Sequence, residues 1–147
     1  MTCPLNAKRV LIGGIVAGAW VFVVQAVAHM AILGERYQNL TRMGHYFAQP
    51  RIPYMPMSVV LSVLVGIMLA WLYAASRDTM SPGAVTAIKV GLIVGFLVGV
   101  PGNVAAVAWS TIGKFVPFVT CLAAFAECIG GTLIAGALYQ PKPTSRT

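Results

Sequence analysis

The sequence predicts an all-α membrane protein: four transmembrane helices packed as a small bundle, one domain over residues 1–147. Three observations predict this. Charged residues make up only 9% of the chain, ten Lys or Arg against three acids, where a soluble domain is roughly a quarter charged. Apolar residues make up 59%, and the mean hydropathy is +0.84. The apolar residues also gather into long runs, each matching the about 20 residues needed to cross a ~30 Å hydrocarbon core. So few charges cannot clothe a soluble enzyme in water. The chain also lacks the polarity of a disordered segment and, with three cysteines, the cysteine density of a disulfide scaffold.

The first span, residues 10–33, contains no charge and follows Lys8 and Arg9. Its apolar run exceeds the about 7–15 residues of a signal-peptide core, so it reads as a retained helix. The first loop, 34–53, mixes polar and apolar residues from Glu35 to Phe47 and predicts a short interfacial helix. Gln49-Pro-Arg-Ile-Pro-Tyr-Met-Pro56 then breaks regular structure before the second span, 54–76. The third span, 84–108, follows Pro82-Gly83, carries Lys89 in its first turns and holds Pro101 late, where a kink is expected before Asn103. The fourth, 115–139, places Pro117 in its first turn, where no helical hydrogen bond is lost, and contains Glu127.

Orientation follows from the basic flanks. Lys8, Arg9, Arg77, Lys89, Lys142 and Arg146 fall on the N-terminal side, and Arg36, Arg42, Arg51 and Lys114 on the other. The excess places both termini in the cytoplasm. The net charge of +7 is read as contact with anionic headgroups, not with nucleic acid. Trp71, Tyr73 and Tyr139 at one boundary and Tyr54 and Trp109 at the other read as an aromatic belt.

Lys8-Arg-Val-Leu-Ile-Gly-Gly-Ile-Val-Ala-Gly18 aligns with Lys89-Val-Gly-Leu-Ile-Val-Gly-Phe-Leu-Val-Gly99, and Ala70-Trp-Leu-Tyr73 with Gly136-Ala-Leu-Tyr139. The chain therefore reads either as two tandem helical hairpins or as a chance alignment of glycine and apolar residues. Gly14 and Gly18, and Gly91, Gly95 and Gly99, each line one helix face, and Gly131 belongs to a further small-residue surface. Helices in lipid associate where small residues let backbones approach. The first and third spans are expected to meet at these faces, inside the bundle and not between copies.

Glu127 is the one acid within a span. A charge at mid-bilayer is costly, so such a group faces protein or water, or is protonated. By helical rise, Gln25 matches its depth, while His29 and Asn103 match each other nearer the far surface. These four are the intramembrane polar candidates. Glu127 is read as a clamp from the fourth helix to the first, against a rival reading in which Glu127, Gln25 and His29 line a proton or ligand path. His29, His45, Cys121 and Cys128 make no recognisable tetrahedral metal site. Met43, Met55 and Met57 beside His45 read as packing, not as a copper site. No phosphate loop, zinc-protease helix, nucleophile elbow or carboxylate pair occurs. The expectation is a non-enzyme without cofactor.

Lys8 to Gly18, Trp71-Leu-Tyr-Ala-Ala75 followed by Arg77, Pro82-Gly83, and Glu127-x-x-x-Gly131-Thr-Leu-Ile-Ala-Gly-Ala-Leu-Tyr139 carry a resemblance. On them the chain resembles a group of small, uncharacterised bacterial four-helix membrane proteins. The resemblance implies the topology and a bacterial origin; it carries no activity. The function expected is that of a structural or accessory subunit of a bacterial inner-membrane complex, touching lipids and other subunits, the latter through the first loop. The rival is a homo-oligomeric transporter or channel-like protein using Glu127. A third reading is a lipid or quinone binder using Trp20, Trp109 and the first loop.

Overall fold

The computed structural model describes residues 6–46, 51–77 and 79–139. Cys3, Lys142, Arg146 and the Phe47–Pro50 part of the first loop lie outside the described residues. Four helices are long and apolar enough to cross a membrane, and they pack into one bundle. Helix α1 runs Ala7–Ala26 and continues as a π-helical turn, Val27–Ile32. A short surface helix α2 spans Gly34–Arg42. Then follow α3 (Tyr54–Ser76), α4 (Ala84–Trp109) and α5 (Phe115–Leu138).

Local chemistry sets the ends. The Asn6 side chain caps α1 by accepting the Arg9 N–H at 3.4 Å, satisfying one of the orphan amides of a first turn. Gly83, at φ +147°, supplies the left-sided backbone that opens α4. Its N–H donates to Tyr73 Oη at 3.3 Å, and Thr86 Oγ1 donates back to Ser81 O at 2.6 Å. Tyr73 is 3% exposed. It is therefore an anchor for the α3–α4 turn and not a member of the lipid-facing belt, whereas Trp71, Tyr54 and Trp109 are exposed. Pro101 lies within α4, which continues through it to Trp109. Pro117 is the third residue of α5 and is buried there.

The interior is made of small residues. Ala17, Ala70, Ala74 and Ala135 are buried together with Val10, while large residues such as Leu11, Ile15, Leu64, Ile93, Phe96 and Phe118 point outward. A bundle that turns its largest apolar side chains out and its glycines in fits an integral, multi-pass membrane protein whose surface contacts lipid.

The helices form two tight hairpins, α1 with α3 and α4 with α5, joined because α5 also packs on α1 and α3. The first and third spans, expected to meet at their glycine faces, do not. Gly14 and Gly18 lie against α3 at Ile67, Val63 and Gly66, and Gly91, Gly95 and Gly99 lie against α5 at Ile129, Phe125 and Ala124. Each glycine face is thus used up inside its own hairpin. The hairpins pair in different registers. Gly14 lies by Ile67 and Gly95 by Phe125, whereas the matched Tyr73 and Tyr139 exits would pair Gly95 with Leu133, about two turns away.

Candidate functional site

The polar side chains within the spans are the candidates for chemistry, and the bundle distributes them over separate contacts. Near mid-bundle, Val21 of α1 and Leu69 of α3 close around Gly131 of α5. One helical turn further on, on the same faces, stand Gln25 and Glu127, both half-buried. The depth match is present but no bond joins them. The Gln25 side chain turns to α3, where Ser62 Oγ lies 3.5 Å from its Oε1; Ser62 also donates to Ser58 O at 2.9 Å. Glu127 forms no hydrogen bond or ion pair with any described residue. The clamp between α5 and α1 is another group, the Trp20 indole N–H, which donates to Ala126 O at 3.1 Å. Gly130 makes room for that ring: a Cβ there would fall 2.5 Å from Trp20 Cε2.

His29 and Asn103 share a depth and are not brought together. His29 sits in the π-helical turn, a wider coil that occurs mostly as a single turn and often marks functional positions. Its Nδ1 is hydrogen-bonded to Tyr37 Oη at 2.8 Å, and the two rings stack with centroids 5.7 Å apart and planes 9° from parallel. Tyr46 closes the group, 5.2 Å from Tyr37. Burial, and then the neighbouring Tyr46, push the Tyr37 hydroxyl up to about 12. Beneath it Leu33, Leu40, Ala28, Val116 and Val119 form a buried cluster that docks α2 on the start of α5. Tyr37 and Leu40 lie on the inward face of α2, in line with Leu33 just before its first residue, with Glu35, Arg36, Gln38 and Asn39 outward.

Asn103 serves α4 and α5. Its Nδ2 donates to Gly99 O at 2.6 Å, and its Oδ1 accepts from Thr120 Oγ1 at 2.5 Å. Deeper along the same seam Thr132, wholly buried, lies with Oγ1 2.8 Å from Ala87 O and 2.8 Å from Cys128 O. Sequence reasoning singled out amides and ionisable groups and passed over Ser62, Thr120 and Thr132. Their signal is a hydroxyl within an apolar helix, able to bond its own preceding turn and a neighbouring helix at once.

Four polar contacts therefore tie spans pairwise: Ser62 with Gln25, Trp20 with Ala126, and, along the α4–α5 seam, Asn103 with Thr120 and Thr132 with Ala87. Among the described residues every fully buried side-chain N or O has a hydrogen-bond partner. No three of His, Cys, Asp and Glu cluster at metal-binding distance among those residues. Such an arrangement holds helices in register. No protein family, curated protein or solved structure matches the chain.

Proposed function

We propose that the protein is a non-catalytic structural or accessory subunit of a bacterial inner-membrane complex, with both termini in the cytoplasm. One observation carries this reading: apart from Glu127, the intramembrane polar side chains Trp20, Gln25, Ser62, Asn103, Thr120 and Thr132 are spent on helix–helix contacts within the chain. An accessory subunit needs a self-sufficient bundle with apolar outer faces to lay against neighbours. Helix α4, packed extensively on α5 alone, leaves most of its circumference for such a neighbour. The orientation rests on the excess of Lys and Arg on the N-terminal side.

The test is purification in mild detergent followed by mass spectrometry. Foreign subunits retained in fixed stoichiometry are the expected result. A pure homo-oligomer would overturn the reading in favour of transport, with Glu127, half-buried and without a partner among the described residues, as the group to examine. Cys3 should react with a membrane-impermeant thiol reagent from the cytoplasmic side only; labelling from the other face would reverse the topology.

A further inference from the structure

Helices α4 and α5 are closely packed over three turns and then part. At Gly99 a Cβ would already meet the Ala124 Cβ at 2.9 Å. Beyond Gly99 no residue of α4 is buried. The reason lies on the other helix: Val116 and Val119, at the start of α5, turn toward Leu33 and Leu40 beneath α2, so the end of α4 is held to α5 by the Asn103–Thr120 hydrogen bond and not by buried apolar packing. The gap is a lateral groove of 480 Å³ lined by Val100, Val104, Val107, Phe118 and Cys121, with Asn103 in its wall and Lys114 at its mouth. It follows α4 from Val100 to Ala108, about 12 Å at helical rise. Asn103 does not make it polar, because its amide is occupied by Gly99 O and Thr120.

We infer that this groove seats one acyl chain of an acidic phospholipid, with the Lys114 ammonium on its phosphate. Shape and charge both select this occupant. The lining is apolar and open to the bilayer, so a hydrocarbon chain enters without displacing any protein hydrogen bond. Lys114 is exposed at the end of the span and forms no ion pair with any described residue. A cation at this level is drawn to anionic headgroups. A transmembrane helix from another protein would fit the apolar wall but would leave the cation at the mouth unmatched. The inference is independent of the subunit reading, since a lipid seated here leaves the remaining outer faces free.

Native mass spectrometry of the full chain in detergent tests it, with phosphatidylglycerol and phosphatidylcholine of identical acyl chains as probes. One phosphatidylglycerol should be retained with about fivefold preference, the factor that one lysine near the headgroups supplies. Lys114→Gln should bring the two lipids to parity, while Lys89→Gln, at the opposite end of α4, should leave the preference intact. Val104→Phe, which narrows the groove from an exposed position, should weaken both lipids together. Equal retention of the two lipids by the native chain, a preference that survives Lys114→Gln, or lipid binding indifferent to Val104→Phe would each overturn the inference. So would a foreign protein released by Val104→Phe while lipid binding stays unchanged, which would assign the groove to a partner helix. Because Lys114 is exposed and its exchange for Gln alters no packed contact, that variant reports even if Val104→Phe fails to fold.

Discussion

Gly66 of α3 meets Gly18 of α1 backbone to backbone: a Cβ on Gly66 would land 2.5 Å from Gly18 Cα, with the Gly14 carbonyl also in its way. Nothing flexible stands there to move aside, so a methyl group must push the two helices apart. Gly66→Ala is expected to destabilise the bundle by about 1–3 kcal/mol, the usual cost of overpacking a filled contact. Gly102→Ala is the matched control, since open space surrounds that position. Helical circular dichroism followed through thermal unfolding in detergent compares them. A melting point for Gly66→Ala equal to that of Gly102→Ala would refute the contact.

Thr132→Val tests the second hairpin. The change keeps the shape but removes the hydroxyl that lies 2.8 Å from Ala87 O. Interhelical hydrogen bonds in lipid are worth about 0.6 kcal/mol on average and under ~2 at most. A loss within that range is expected, visible as faster amide exchange near Ala87 and not as loss of fold. Gly91→Ala, whose Cβ would lie 2.6 Å from Ile129 Cα, should cost more than Thr132→Val, because backbone cannot yield as a side chain can.

Docking of α2 should depend on pH through Tyr37. Its hydroxyl is raised from 10.0 to about 12, so the docked helix holds this proton more tightly than the undocked one. The contribution is fully present below pH 10 and is lost as pH rises toward 12. A tyrosinate absorbance titration should show one phenol ionising late, and Tyr37→Phe should remove that late step. A titration in which all tyrosines ionise together would contradict the docked geometry.

Among the described residues Glu127 makes no hydrogen bond that a substitution could break. Glu127→Gln should therefore change stability by less than about 0.5 kcal/mol, as substitutions away from bonded networks do. Melting in detergent checks this. If the same variant stayed folded and assembled yet lost a proton-coupled transport in vesicles, the accessory-subunit reading would give way.

The span limits were legible because punctuation brackets them. Pro53 and Arg77 fix α3 at Tyr54–Ser76, as read from the sequence, and Pro82-Gly83 fixes the start of α4. The surface helix was legible from its mixed polarity, and Gly34–Arg42 realises it. Helix pairing was not legible. In lipid no face is favoured by hydrophobicity, so a glycine stripe announces a close contact without naming its partner. Gly66, the partner of Gly14 and Gly18, is the sole glycine of α3 and carries no motif. The polar contacts escaped for a related reason. Depth alone paired Gln25 with Glu127 and His29 with Asn103, but rotation about each helix axis decides which neighbour a side chain reaches. The π-helical turn adds rotation at Val27–Ile32 that no spacing rule registers.

Helix α5 touches α1, α3 and α4, and α4 has no other extensive partner. During synthesis α5 is also the last of the four to leave the ribosome. Until it inserts, α4 waits in the bilayer with its glycine face turned to lipid and Gly91, Gly95 and Gly99 unfilled. The first hairpin closes early and alone; the second closes only when its final strand of chain arrives, and that same event joins the halves. A chain interrupted before Phe115 would thus display an unmatched small-residue face to whatever surveys nascent membrane proteins, so quality control of this bundle falls on a single late insertion step.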